Sequence, residues 1–341
     1  MDRLDTVGAT GRGELGGVSE SRGIRYFSLD KRSTPRAFWA VRMTLGAALM
    51  VALGGCTANL ADAVRERLPG GDHIPPEAAQ KIGKAAGDTI DAKMMPKIVD
   101  HLGDVAFEIK LKTCKRSDSP TAKRTAEGVS QRIIKAVEDT PYADTGRQFA
   151  WRVEVVDDED VNAMAFPGGK IIVNSGLVTF ATAGGDAADA WVATALAHEV
   201  THALARHATE AVKQALGDTL DLTGTGMRLT ARDLSPKQAA ALLGAMGVPY
   251  EGAVLISFAR EKESEADHNG LLLMAHAGYD PGFALDFWQR RAGRTTASGL
   301  VPEFLSLHPT DAKRISQLRD WIPEAKAQMK ATGEDGRLGL R

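Results

Sequence analysis

The stretch ALAHEVTHALARH, residues 195 to 207, holds three of the eight histidines in a chain of 341 residues. An α-helix turns about 100° per residue, so His198 and His202, four positions apart, stand one above the other on a single face. Two imidazoles stacked in this way can close on one tetrahedral zinc ion, with Glu199 beside them in reach of a water in the remaining coordination position. His207, five positions after His202, leaves that face and is expected to be a solvated or capping residue, not a fourth ligand. The plainer alternative is a helix whose imidazoles hydrogen-bond inside a core. A third donor from elsewhere in the chain decides between the two.

The donor is sought in SFAREKESEADHNGLLLMAHAGYDP, residues 257 to 281. It reads as a helix from about Ser257 to Ala277, stopped at Gly278 with Pro281 just beyond. Glu263 and Asp267 share a face on it, so that one can bind a metal while the other orients a ligand imidazole. Glu261 and Glu265 are read as solvent-facing. The histidine-bearing helix is expected to run through DAADAWVATALAHEVTHALARHATEAVKQAL, which is Ala-rich and free of Gly and Pro, with apolar residues recurring at Trp191, Leu196, Val200, Ala203 and Leu204. Upstream, WRVEVVDDEDVNAMAFPGGKIIVNSGLV reads as a strand at Trp151 to Val156 and an acidic turn. A segment at Asn162 to Phe166, a Pro-Gly-Gly turn and a β-branched strand at Lys170 to Asn174 follow.

Four segments in order, VNAMAFPGGKIIVNSGLV, LAHEVTHALARH, the Ser257 to Pro281 stretch and FLSLHPTDAKRISQL, give the chain a resemblance that covers roughly residues 125 to 325. It resembles the zinc metallopeptidase family of the CAAX prenyl endopeptidases and HtpX, and within it the bacterial periplasmic lipoprotein proteases of the LoiP and BepA kind. The chain shows no internal repeat and looks more like the former, which has no helical-repeat domain. The resemblance implies an α+β, mostly helical fold, a zincin-type (gluzincin) metallopeptidase core with a small β-sheet. It implies one Zn2+ per chain held by His198, His202 and Glu263, with Glu199 as general base and Asp267 hydrogen-bonded to a ligand histidine. His308 and Arg314, in HPTDAKR, match the family's downstream His-Pro and Arg, assigned to steadying the oxyanion or gating the metal; a helix start with a surface charge reads equally from those residues alone. Asn162, Ala163, Met164, Ala165 and Phe166 fall where such enzymes bind substrate as an added strand. No G-x-S-x-G motif offers a serine alternative.

The N-terminal region bears on location. MTLGAALMVALGG, residues 43 to 55, is uncharged and precedes Cys56, with Arg36 and Arg42 upstream. It is shorter than the roughly 20 apolar residues of a spanning helix. It fits the apolar region of a signal peptide, and LGGC, ending at Cys56, resembles a bacterial lipobox in which Cys56 is lipidated. Residues 1 to 55 are accordingly expected to be a signal region whose long polar lead suggests a true start near Val41 or Met43. Residues 56 to 119 read as a tether and N-terminal helices with Pro96 a kink or boundary, 120 to 325 as the catalytic domain, and 326 to 341 as a polar tail. Thr57, where an Asp would retain a lipoprotein in the inner membrane of enteric bacteria, favours the periplasmic face of the outer membrane. Beyond residue 55 the chain holds 34 of its 42 basic and 39 of its 44 acidic residues, a net charge of −5 that argues against a nucleic-acid partner. With Cys56 lipidated, Cys114 is the only other cysteine and no intrachain disulfide forms.

These readings converge on a membrane-anchored zinc endopeptidase that acts on misfolded or stalled envelope proteins. The alternative is a non-hydrolytic lipoprotein chaperone or assembly factor that uses the same cleft.

Overall fold

Alternating apolar residues in Lys170–Asn174 make the strand around which the fold is laid out: Ile171 and Val173 turn to one apolar cluster and Ile172 to another, and every residue of the strand is buried. In the computed structural model, residues 65, 75–89, 93–217, 230–298 and 312–334 are described, all within a unit spanning 45–341. The chain is α+β and mostly helical, with one three-stranded sheet among the described residues. The strands are β1 (Arg152–Val156), β2 (Ala163–Phe166) and β3 (Lys170–Asn174), in the order β1-β3-β2. β1 runs parallel to β3, with Arg152 opposite Lys170, and β2 runs antiparallel, with Phe166 opposite Lys170. β2 is therefore an edge strand. The turn that joins it to β3 needs Gly168 (φ 81°) and Gly169 (φ 87°), a left-handed backbone that other residues rarely adopt.

Helices α1 (Pro76–Thr89) and α2 (Met95–Thr113) precede the sheet, and Pro96 sits at the start of α2, where its missing N–H costs nothing. α2 is no mere tether: Ile98, Leu102 and Phe107 bury against Phe166 and Ile172, and Gly103 lets its backbone approach Pro167. α3 (Pro120–Ala136) is capped by Ser119, whose hydroxyl accepts from the Ala122 N–H at 3.2 Å. After the sheet come α4 (Ser175–Thr182) and α5 (Ala188–Leu204), then α6 (Thr209–Gly217), α7 (Pro236–Ala245), α8 (Arg260–His276), α9 (Gly282–Ser298) and α10 (Ala312–Glu334). α5 packs on β2, α3, α8 and α9, while α10 covers α8 and α9.

Three expectations are corrected here. The helix anticipated from residue 186 to 216 is interrupted, because Ala205 to Ala208 form a turn with Arg206 at φ 58°. The second helix begins at Arg260, not Ser257. α10 also runs to Glu334, across the place where a polar tail was expected, and Met329 packs against the core. The apolar run before Cys56, Cys56 itself and His308 lie outside the described residues. No helix among those described is long and apolar enough to cross a membrane.

Candidate metal centre

The α5 sequence is Ala-rich, so the helix buries almost its whole circumference and carries polar side chains into the core only at defined points. His198 (2% exposed), Glu199 (6%) and His202 (4%) are three of these. α8 lies across α5 with Gly270 at the crossing, where an added Cβ would stand 3.2 Å from the His198 backbone nitrogen. That close approach delivers Glu263 to the imidazoles. His198 Nε2 and His202 Nε2 are 3.1 Å apart, and the Glu263 oxygens stand 3.5 Å from the first and 3.3 Å from the second. Ligand atoms around a tetrahedral zinc ion, each about 2.0–2.1 Å from it, are roughly 3.3–3.4 Å apart. Two imidazoles and a carboxylate so disposed fit zinc, and they are the group among the described residues placed to hold a metal ion.

The surroundings of the triad favour positive charge. Asp267 is buried, with Oδ1 2.9 Å from His198 Nδ1 and 2.6 Å from Arg314 Nη2. Arg314 also places Nη1 3.6 Å from Glu263, and its guanidinium lies 3.7 Å from the centre of the Trp288 ring. Burial works against charge on His198, yet hydrogen bonds to Asp267 and Glu263 prevail and push its pKa up to about 9. Burial likewise opposes ionisation of Asp267, and Arg314 and His198 together hold it below the ordinary aspartate value. Arg314 thus braces the ligand Glu263 and its neighbour Asp267, and the structure brings His198, Glu199, His202, Glu263, Asp267 and Arg314 together.

Beside Glu199 and the ligand His202, Asn162, Ala163, Met164 and Ala165 line one cavity with Met246, Gly247, Val248 and Phe258. The edge strand β2 therefore faces Glu199. Phe166 is directed elsewhere, into the cluster against α2, where its ring meets Phe107 edge-on at 5.6 Å. Strand alternation puts Phe166 on the face opposite Ala163, the face of Met164, and there its ring is taken up in packing against α2.

One residue read as a surface group is not. His207 is 4% exposed, its Nδ1 lies 2.7 Å from His202 Nδ1, and burial, opposed by Glu265, draws its pKa below the ordinary value. Glu265 is exposed, as expected, and from there accepts from the Tyr142 hydroxyl at 3.1 Å and stands 3.3 Å from His207 Nε2. Helical spacing misplaced His207 because the helix ends before it. Phe258, stacked on the His202 ring at 4.4 Å, and Trp288 carried no motif signal at all.

The description "Peptidase family M48" matches residues 124–322 of this chain. The mitochondrial metalloendopeptidase OMA1 of Schizosaccharomyces pombe is 33% identical over 184 residues, 53% of this chain and 50% of its own length. That of Saccharomyces cerevisiae is 31% identical over 212 residues, 58% and 55% of the respective chains. The beta-barrel assembly-enhancing protease of Escherichia coli K12 is 26% identical over 183 residues, 53% of this chain and 36% of its own length. The chain spans about half the length, or less, of these curated relatives.

Proposed function

Because this chain belongs to peptidase family M48, we propose that it is a zinc-dependent endopeptidase, anchored to the cell envelope through a lipid on Cys56, that hydrolyses unfolded or misassembled envelope proteins. The observation that carries the reading is the buried His198, His202 and Glu263 triad with Glu199 beside it, Glu199 and His202 sharing a cavity with residues of the edge strand β2.

When bound, zinc supplies Lewis acidity and brings the acidity of a coordinated water toward neutrality. The chain's own groups do the rest. The Glu199 carboxylate takes the proton of the attacking water and returns it to the leaving amine nitrogen, so one side chain serves as base and then as acid. Asp267 and Arg314 hold His198 and Glu263 in place behind the reacting atoms. A peptide laid along β2 pairs through its main chain, which selects for extended backbone and tolerates varied side chains. An unfolded or stalled protein offers extended backbone for such pairing more readily than a folded one, and this supports the choice of substrate class. The M48 relatives fit it too, one of them being named for enhancing β-barrel assembly.

Glu199→Gln tests the mechanism. The three ligands are untouched, so zinc content by atomic absorption stays at one per chain, while cleavage of an unfolded fluorogenic protein falls by about 10²- to 10⁴-fold. Wild-type turnover by this variant would remove Glu199 from the reaction. Zinc-loaded wild type that protects unfolded proteins from aggregation without cutting them would favour the chaperone alternative.

A further inference from the structure

α5 ends at Leu204, and the backbone then reverses: Arg206 N–H donates to Ala203 O at 3.1 Å and His207 N–H to His202 O at 3.1 Å. Arg206 takes φ 58° there, the single non-glycine left-handed residue among those described. Such a conformation persists only where its surroundings enforce it. They do, because Arg206 Nη1 is 2.6 Å from Asp100 Oδ1 and 3.2 Å from Pro96 O on α2. Lys262 Nζ on α8 donates to His207 O at 2.8 Å. Without this turn a continuing helix would carry the His207 ring away from His202.

The turn instead sets two imidazoles against each other, Nδ1 to Nδ1, at 2.7 Å. His202 directs Nε2 toward His198 and Glu263, so to ligate a metal it must keep Nε2 unprotonated and carry its proton on Nδ1. The His202 Nδ1–H then donates, and His207 Nδ1 must accept. That leaves the His207 proton on Nε2, which faces Glu265 Oε2 at 3.3 Å. Glu265 is held in turn by the Tyr142 hydroxyl, itself contacted by Asn269 Nδ2 at 3.0 Å. Each member of the row specifies the proton position of the next.

We propose that His207 is a positioning residue of the metal centre: it fixes His202 in the tautomer and ring orientation that ligate through Nε2, with Glu265 fixing His207. His198 and His202 are thereby oriented by different devices. His198 meets the buried carboxylate of Asp267 directly, whereas His202 reaches a half-exposed carboxylate through an intervening neutral ring. Outer partners of this kind set metal affinity even though they do not touch the ion.

The inference rests on the metal reading above, and the test separates the two. The full chain is prepared as wild type, His207→Phe, His207→Asn and Glu265→Ala. Zinc affinity is measured by competition with a chromophoric chelator, the cobalt-substituted forms are compared by visible absorption, and the chelated proteins are melted. Phe fills the space without an acceptor; Asn offers an acceptor oxygen near the place of Nδ1. Expected are a zinc affinity lowered by about 10- to 100-fold and altered cobalt bands in His207→Phe, substantial recovery of both in His207→Asn, a smaller loss in Glu265→Ala, and unchanged melting of the chelated forms. Wild-type affinity and spectrum in His207→Phe would overturn the proposal. So would equal losses in Phe and Asn together with lowered melting of the chelated forms, which would make His207 a packing residue. Failure of the wild type itself to bind zinc would overturn the metal reading and this inference with it.

Discussion

Asp267 accepts from two cations' worth of donors, His198 Nδ1 at 2.9 Å and Arg314 Nη2 at 2.6 Å, with all three side chains buried. Removing one member of a buried pair strands the charge of the other, at a cost of about 3–5 kcal/mol. Asp267→Asn should therefore destabilise the chelated protein in urea by a few kcal/mol and weaken zinc binding by about 10- to 100-fold, read by chelator competition. The ligands themselves behave differently. His202→Ala and Glu263→Ala should abolish stoichiometric zinc while Glu261→Ala retains it, and full zinc in Glu263→Ala would show that α8 is set in the wrong register. His198 and His202 were legible from local spacing because helical periodicity puts them on one face, and Glu263 shares a face with Asp267 by the same rule, but that Glu263 is the ligand of the two was implied by the family resemblance. Arg314 and Trp288 come from α10 and α9, and no local rule brings them to His198.

Among the elements, helix crossings are set where glycine removes a side chain. A Cβ on Gly103 would lie 2.0 Å from the Pro167 carbonyl oxygen, on Gly270 3.2 Å from the His198 nitrogen, and on Gly128 in open space. Glycine in a helix costs roughly 0.5–1 kcal/mol relative to alanine, whereas overpacking costs typically 1–3 kcal/mol. Gly128→Ala should thus stabilise the protein by about 0.5–1 kcal/mol. Gly103→Ala should destabilise it by about 1–3 kcal/mol or more and leave zinc affinity of the folded fraction intact. Gly270→Val, which wedges α8 from α5, should weaken zinc affinity as well as stability. Urea denaturation and chelator competition on the three variants check this, and a Gly270→Val protein with wild-type zinc affinity would show that the crossing does not set the ligand geometry. The strands and the Pro-Gly-Gly turn were readable from alternation and glycine placement. The break at Ala205 to Ala208 was not, because that stretch lacks Gly and Pro and its left-handed residue is held by Asp100 of α2, a hundred residues away in sequence.

For the whole molecule, the proposed anchor predicts behaviour in cells. Acyl chains on Cys56 would contribute about 0.8 kcal/mol per buried methylene, and more than one chain is needed for stable anchoring. A clickable fatty acid should label the wild type and not Cys56→Ser, and labelled protein should fractionate with the outer membrane. Unlabelled wild type in the cytoplasm would refute the anchor and redirect the search for substrates, leaving the metal chemistry untouched. Zinc would act at this scale as well, since His198 and His202 on α5 and Glu263 on α8 would hold it between the two helices. At a hundredfold excess over its dissociation constant it stabilises by about 2.7 kcal/mol, so chelation should lower the melting temperature of the wild type and have no such effect on His202→Ala.

By itself the sequence determined the chemistry and its local frame. The helix bearing His198, Glu199 and His202, the register of Glu263 and Asp267, and the hairpin of β2 and β3 all follow from interactions within a few residues. Only the tertiary structure decided that β2 is an edge facing Glu199, that Arg314 lies behind the carboxylates, that α2 belongs to the core, and that His207 turns back onto His202. Those outcomes depend on which helices cross, how closely their backbones approach, and which distant charge holds a strained turn. Such contacts are made across long stretches of chain, where periodicity carries no information.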